Sequence, residues 1–583
     1  MDSRHLCGLF TFRINGKVVT DNNAIAESFN QFYVNIGTSL ASKIPTTDAD
    51  PIDYVKENVT RCIQVTPVNE SEVIEILKKL KNSSPGWDGI SPHIVKMTYS
   101  IFIKPLVHIC NLSIMNGVFP NELKVAKVIP LYKGGDSMLL VNYRPVSILP
   151  VLSKLFERLM YNRLFQFIEG LELLYYLQFG FRKFHSTSLA LMYLVDKISK
   201  ALHEGDYVLG VFIDFSKAFD TVNHEILLRK IWHYGIRGVT YTWLQSYLDK
   251  RSQYVTYNSI DSSAQLIKCG VPQGSILGPL LFLLYINDIA LVSDVILPIL
   301  FADDTNVFLT GKNVNDLISS MNLELEKIMI WLYANKLSLN VNKTHYLVFR
   351  SSGMAKPVFD IQLQINDQHI KEDIKTKFLG VFLDNKLTWA YHIQYIKNKI
   401  AKGIGVICRA RRLLNIKTLC TLYHCFVYPY LNYAAEVWAD TTDKLLSSVV
   451  KLQKKVIRII NHSQRDEHTR PLFVKFNILR LEEIHFYKVA LTMFKVFHND
   501  TPMVFTNLFT RNSHVHEYET RQRLQFHVPI ARTNYMKRAI SVKGVSIWNK
   551  LLNKVNHECL LLSYKIALKR YLINNTDIVT YIC

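Results

Sequence analysis

The run VLGVFIDFSKAFDTVNHEIL carries mostly apolar, β-branched or aromatic residues at 209–213, then Asp214, then a helical stripe of Val222, Ile226 and Ile231. This pattern predicts a buried strand that ends at Asp214 and a helix beyond it. Further on, VILPIL and FADDTNVFL predict two strands joined by a tight hairpin with Asp303 and Asp304 at its tip. Side chains alternate across a strand, so these two acids are expected to face differently. In GVPQGSILGP, glycines on both sides of Gln273 leave the backbone free to approach a ligand, and the apolar run from Leu280 predicts a buried helix. Before these, GKVVTDNNAIAESFNQFYVNIG predicts an amphipathic helix, and EVIEILKKLKNSSPGWDGI a helix that ends in a Pro/Gly loop. After them, HIQYIKNKIAKGIGVICRARRLL, TLYHCFVYPYLNYAAEVWA and KLQKKVIRIINHSQ predict further helices, the first strongly basic.

A chain of 583 residues that is 49% hydrophobic can bury a large core and is expected to form several subdomains. Its formal charge of +21 is spread along the sequence, which suits a phosphate-binding cleft. Charge alone also fits an RNA-binding protein or a binder of anionic membranes. The most apolar stretch, 276–300, is interrupted by Asn287, Asp288 and Asp294, which argues against a membrane span, and MDSRHLCGLFTF does not read as a secretory signal. An intracellular protein is expected, in the nucleus, a cytoplasmic ribonucleoprotein or both. The nine cysteines form no CxxC pair, and Cys420, His424 and Cys425 lack a fourth ligand, so they read as reduced and structural.

If the strands ending at Asp214 and Asp303 are neighbours, two carboxylates converge across 303 − 214 = 89 residues of sequence. Like charges that close repel unless cations lie between them. Two Mg²⁺ ions about 3.5–4 Å apart would serve, with Mn²⁺ as a substitute, since hard oxygen ligands suit them. A pair of acids at a strand end is by itself more often a solvated turn.

The wider context changes that balance. SSPGWDGISPHIVK, VAKVIPLYKGGD, NYRPVSILPVLSKLFERLMYNRL, LQFGFRKFHSTSLAL, FIDFSKAFD, GVPQGSILGPLLFLLYINDI, FADD, NKLSLNVNKT and FLGVFLD follow one another in that order. Together they resemble the reverse transcriptases of non-LTR (LINE-like) retrotransposons of the jockey and chicken-repeat-1 type. The resemblance implies an α+β right-hand polymerase: fingers, a palm with an antiparallel sheet, a helical thumb, and a mainly helical C-terminal extension. It divides the chain into a linker-like helical segment (1–65), fingers and palm (66–384), thumb (385–480) and extension (481–583).

The same resemblance implies residue roles. Asp214, the Phe215 carbonyl and Asp303 would hold metal, with Asp304 flanking them and Asp220 structural. Lys343 would protonate departing pyrophosphate. Lys133 and Arg144 would meet the triphosphate, Phe219 would exclude a 2′-hydroxyl, and Gln273 would contact the nascent base pair. Arg182 and Gly274 would lie along the template, while Phe378, Leu379 and Gly380 would support the primer end. Residues 520–523, Arg532 and Lys537 are candidates for touching RNA or target DNA. The implied partners are an RNA template, a DNA primer or target and dNTPs, with no membrane and protein partners undefined. Neither an endonuclease nor a zinc knuckle is found in the sequence. The alternative is a catalytically silent or repurposed fragment that still grips RNA or DNA.

Overall fold

The computed structural model describes residues 11–14, 16–55, 59–354, 361–515, 522–523 and 525–575. Its centre is a five-stranded sheet in the order Lys371–Glu372, His345–Phe349, Tyr207–Ile213, Asp304–Gly311, Leu297–Phe301. The pairings are antiparallel except for that of the short edge strand Lys371–Glu372. The middle strand, Tyr207–Ile213, is buried from Val208 onward. It reads as a continuous apolar run because helices cover both faces of the sheet.

The period-two alternation divides those side chains between two cores. Val208 and Phe212 join Phe308, Leu347 and Phe349 beneath the helix Thr187–Glu204. Leu209, Val211 and Ile213 join Val307, Leu309 and Val348 against the helices Gly278–Ile286 and Val314–Ala334. Gly210 has no side chain because the Phe308 ring fills that space: a Cβ there would stand 2.7 Å from the ring.

A second sheet lies upstream in sequence, with Val125–Tyr132 antiparallel to Tyr143–Ile148 and parallel to Ser252–Tyr257. The helix Asn22–Ala41 packs on it through Ile25, Phe29 and Tyr33, which meet Val128, Tyr143 and Val255 in a small core. Buried Asn30 donates to the Ser263 carbonyl at 2.7 Å and accepts from the Gln253 amide at 3.1 Å. In the segment expected to be linker-like, the helix is built onto the sheet through apolar burial and paired buried amides.

Across the expected boundary at 480/481 the interior is shared. The core under Thr187–Glu204 continues through Ile404, Val456, Ile484 and Trp548 to Ile573. Buried Gln453 donates to the Leu479 carbonyl at 2.9 Å and accepts from the Leu481 N–H at 3.0 Å, so the chain at that point is tied into the interior. Farther along, the Ser541 N–H donates to Asp196 on Thr187–Glu204 at 3.0 Å. Elements of the last hundred residues therefore pack against the helix Thr187–Glu204, which itself covers one face of the central sheet. Among the described residues no helix is long and apolar enough to cross a membrane.

Candidate active site

Antiparallel register brings the acids together. Thr305 lies opposite Ile213, so the next residues in each direction, Asp304 and Asp214, face one another at the strand ends. Asp303 occupies the turn between Leu297–Phe301 and Asp304–Gly311, as the hairpin pattern predicts. The turn is held from behind. Ala302, with φ of 54°, donates its N–H to the Gln178 side-chain oxygen at 2.9 Å, and the same oxygen takes the Gly180 N–H at 2.9 Å. The Phe179 N–H bonds the Leu300 carbonyl at 2.8 Å.

The segment NKLSLNVNKT is laid along the other side of Asp214. The Asp214 carbonyl accepts from the Asn340 N–H at 2.8 Å and the Ser216 N–H donates to the Ser338 carbonyl at 2.8 Å. Phe215 forms an isolated bridge with Leu339, and the Thr344 hydroxyl accepts from the Asp214 N–H at 3.4 Å. This strapping places Lys343 Nζ 3.7 Å from Asp214 Oδ2, with both side chains partly in solvent. Asn340 and Thr344 were not singled out in the sequence, though they lie in a motif that was.

Crowding by protein pushes Asp303 above the ordinary carboxylate range, with Asp214 adding to the rise and Arg144 and Lys133 opposing it. Asp304 is raised to about 6, first by desolvation, then by Asp303 and Asp214. Burial lowers Lys133, and Arg144 and Lys343 lower it further while Asp214 and Asp303 oppose the shift. Three acids and three cations thus share one electrostatic field. Among the described residues no three His, Cys, Asp or Glu side chains form a ready-made metal cage. The fit to a hard divalent ion rests on donor chemistry: carboxylates that resist joint ionisation are the kind a cation relieves.

Around the acids, Phe219 is stacked on Phe282 with ring centroids 4.3 Å apart, and Phe181 meets it edge-on at 6.4 Å. Gln273 Nε2 donates to Asp220 Oδ1 at 2.8 Å, and its carbonyl accepts from the Ser147 N–H at 2.9 Å. Gly274, with φ of 134°, has packing reasons to be glycine, since a Cβ would lie 2.3 Å from the Ser147 carbonyl oxygen. Buried Glu157, not anticipated from sequence, accepts from the Ile276 and Leu277 N–H groups at 2.5 and 3.3 Å and so fixes the start of Gly278–Ile286. A glutamate near a run of hydrophobics carries no local sign of that role.

Lys133 follows Val125–Tyr132, and Arg144 projects outward from Tyr143–Ile148 between buried Tyr143 and Pro145. Arg182 departs from expectation. Its guanidinium forms two bonds to Glu169, at 2.9 and 3.1 Å, and a third to the Tyr175 carbonyl, with the side chain only 10% exposed. It braces the protein instead of facing a template. Phe378 is buried against Phe212, below Asp214, while Leu379 and Gly380, at φ of 43° and 83°, turn the hairpin Lys375–Phe378/Val381–Asp384. The Tyr433 hydroxyl donates to the Leu379 carbonyl at 2.6 Å. Arg532 and Lys537 are exposed, and Thr520 and Arg521 lie outside the described residues.

Residues 133–383 match the family described as reverse transcriptase (RNA-dependent DNA polymerase). The chain is 28% identical over 433 residues to the RNA-directed DNA polymerase from mobile element jockey of Drosophila melanogaster, covering 72% of this chain and 47% of that protein. It is 28% identical to the probable RNA-directed DNA polymerase from transposon X-element of the same species, covering 70% and 45%. A third relative, the Drosophila funebris jockey polymerase, is 29% identical over 70% of this chain and 45% of its own length. The chain spans about half the length of these relatives.

Proposed function

Because residues 133–383 are a reverse transcriptase domain and the chain is homologous to RNA-directed DNA polymerases of mobile elements, we propose that it copies RNA into DNA by extending a primer 3′-hydroxyl with dNTPs. The observation that carries this reading is the meeting of Asp214, Asp303 and Asp304 with Lys133, Arg144 and Lys343 at one end of the central sheet. The central sheet acts as palm, the upstream sheet as fingers, and helices after residue 385 as thumb.

Asp214, the Phe215 carbonyl and Asp303 would hold two Mg²⁺ ions, with Asp304 beside them. When bound, these ions activate the attacking oxygen and stabilise the leaving pyrophosphate. Lys133 and Arg144 orient the triphosphate, Arg by a two-point fork and Lys as a point charge. Holding the nucleotide in line with the primer end supplies much of the acceleration. Lys343, close to Asp214 yet open to solvent, donates a proton to the leaving group.

The Phe219 ring, stacked on Phe282, would stand against the incoming sugar and exclude a 2′-hydroxyl. Replacing it by alanine is expected to raise ribonucleotide use relative to deoxynucleotide by about tenfold or more. Unchanged sugar discrimination in single-nucleotide incorporation would remove that role. The hairpin turned by Leu379 and Gly380 positions the primer through its backbone, since Phe378 is itself buried.

The deciding experiment is primer extension by the purified protein on poly(rA)/oligo(dT) with Mg²⁺, wild type beside Asp303→Asn. Extension by the wild type alone, with equal duplex binding by both, is the expected result. Tight binding without extension by either would replace this reading with that of a nucleic-acid-binding protein.

A further inference from the structure

Asp220 is the acid in this region that the proposed chemistry leaves unused. It ends the short 3₁₀ turn Ala218–Asp220, directly after Phe219, and its Oδ1 accepts from Gln273 Nε2 at 2.8 Å. We infer that Asp220 is a positioning residue for nucleotide selection, fixing the Gln273 amide so that its carbonyl oxygen is turned toward the nascent base pair.

The argument begins with hydrogen-bond chemistry. An ionised carboxylate only accepts, so the amide facing it must present nitrogen. Gln273 cannot then flip, and Oε1 remains as an acceptor directed away from Asp220. An asparagine or serine in place of Asp220 would offer both donor and acceptor and leave the amide free to choose.

The backbone around this contact is set to close tolerance. The Gln273 carbonyl is held by the Ser147 N–H at 2.9 Å, in the strand that carries Arg144. The Val271 N–H bonds the Phe219 carbonyl at 2.9 Å, and the Gly270 N–H bonds the Val222 carbonyl at 2.8 Å. Gly270, at φ of 87°, leaves room for the Asp220 backbone, because a Cβ there would come within 2.9 Å of its carbonyl oxygen. The loop of Gln273 and the turn of Phe219 are thereby fastened to each other and to the fingers strand, with Asp220 supplying the side-chain contact among them.

Among the described residues Asp220 Oδ2 is buried with no hydrogen-bond partner, so the bond from Gln273 is the hydrogen bond its carboxylate makes. Burial raises the Asp220 carboxyl to about 6, while Gln273, Lys217 and Arg144 pull it back toward the charged form. The bond from Gln273 is the first of these opposing influences, ahead of the charges on Lys217 and Arg144.

This inference rests on the reading that Gln273 faces the nascent base pair, and a double-mutant cycle separates the two. Asp220→Ala, Gln273→Ala and the double variant are compared in single-nucleotide incorporation opposite rA, with dTTP as match and dGTP as mismatch. Asp220→Ala is expected to raise KM for dTTP about tenfold with kcat little changed, the factor attached to one charge-assisted hydrogen bond. It should also narrow the match-to-mismatch ratio. Both effects should vanish in the Gln273→Ala background. An equal cost with and without Gln273 would overturn the inference and leave Asp220 a structural acid. A Gln273→Ala protein with wild-type KM and ratio would overturn the reading of Gln273 itself. Should alanine at 220 unfold the protein, Asp220→Asn, similar in size and still able to accept, gives the same cycle; it is expected to retain KM better than alanine does, and an unchanged ratio would count against the proposal.

Discussion

Two sets of acids lie on the same half of the molecule and are treated in opposite ways. Asp288 is wholly buried and bonds Lys230 Nζ at 2.7 Å. That ammonium also donates to the Tyr285 carbonyl at 2.7 Å and lies over the Tyr285 and Trp331 rings. At the end of the central sheet, Asp214 has Lys343 at 3.7 Å in a partly exposed pair, and Asp303 and Asp304 repel each other. The fold can neutralise a carboxylate inside the protein. At the sheet end it gathers carboxylates and leaves the Lys343 counter-charge partly in solvent, as the proposed exchange of metal, triphosphate and pyrophosphate would require.

The largest expected difference is in activity. Asp303→Asn should reduce primer extension about a thousandfold or more, as several kcal/mol of metal-assisted stabilisation are lost. Its melting temperature should hold or rise, because a repelling charge has gone. A matching fall in thermal stability would mean that Asp303 is structural.

Next in size is the buried pair. Lys230→Met alone should cost about 3–5 kcal/mol in denaturant unfolding, since it strands Asp288 without its partner. Combined with Asp288→Leu, most of that loss should be recovered. Single and double variants of equal stability would show that the pair is not coupled.

Lys343→Ala makes the exposed counterpart to that test. It should change stability by less than about 1 kcal/mol, as surface pairs do, and slow incorporation by about ten- to a hundredfold through loss of a proton donor. Stability losses as large as those of Lys230→Met would erase the contrast between the two sites.

The smallest effect is the interplay of Mg²⁺ and pH. Burial, then the charges of Asp303 and Asp214, raise the folded carboxyl of Asp304 to about 6, above the ordinary range. Its folded form holds the proton longer than its unfolded form, so it withdraws stability as pH rises from about 4 through 6. Mg²⁺ should raise the melting temperature by a few degrees at pH 8 and by less at pH 5, and should do neither in Asp303→Asn. A pH-independent gain would place the ion elsewhere.

The sheet end was legible because its signals are local. Five apolar residues before Asp214, and two apolar runs flanking Asp303 and Asp304, specify strands and a hairpin, and antiparallel register does the rest. The loop around Gln273 was legible from its glycines, whereas Gln273 itself was singled out only through the family resemblance. The pairing of Lys230 with Asp288, of Glu157 with the N–H groups of Ile276 and Leu277, and of Arg182 with Glu169 was not. Each depends on which elements meet in space, and a charged residue has the same appearance in a sequence whether it ends in solvent, on phosphate or inside the protein. The packing of the C-terminal helices was not legible for a related reason: helical periodicity identifies an apolar face but not the surface that covers it.

The continuous core from Leu202 to Ile573 also sets a schedule. On the ribosome, the helix Thr187–Glu204 and the strand beneath it are made well before the helices that pack on the outside of that helix, so its outer face is left waiting. That outer layer closes only once the residues up to Ile573 have arrived and docked.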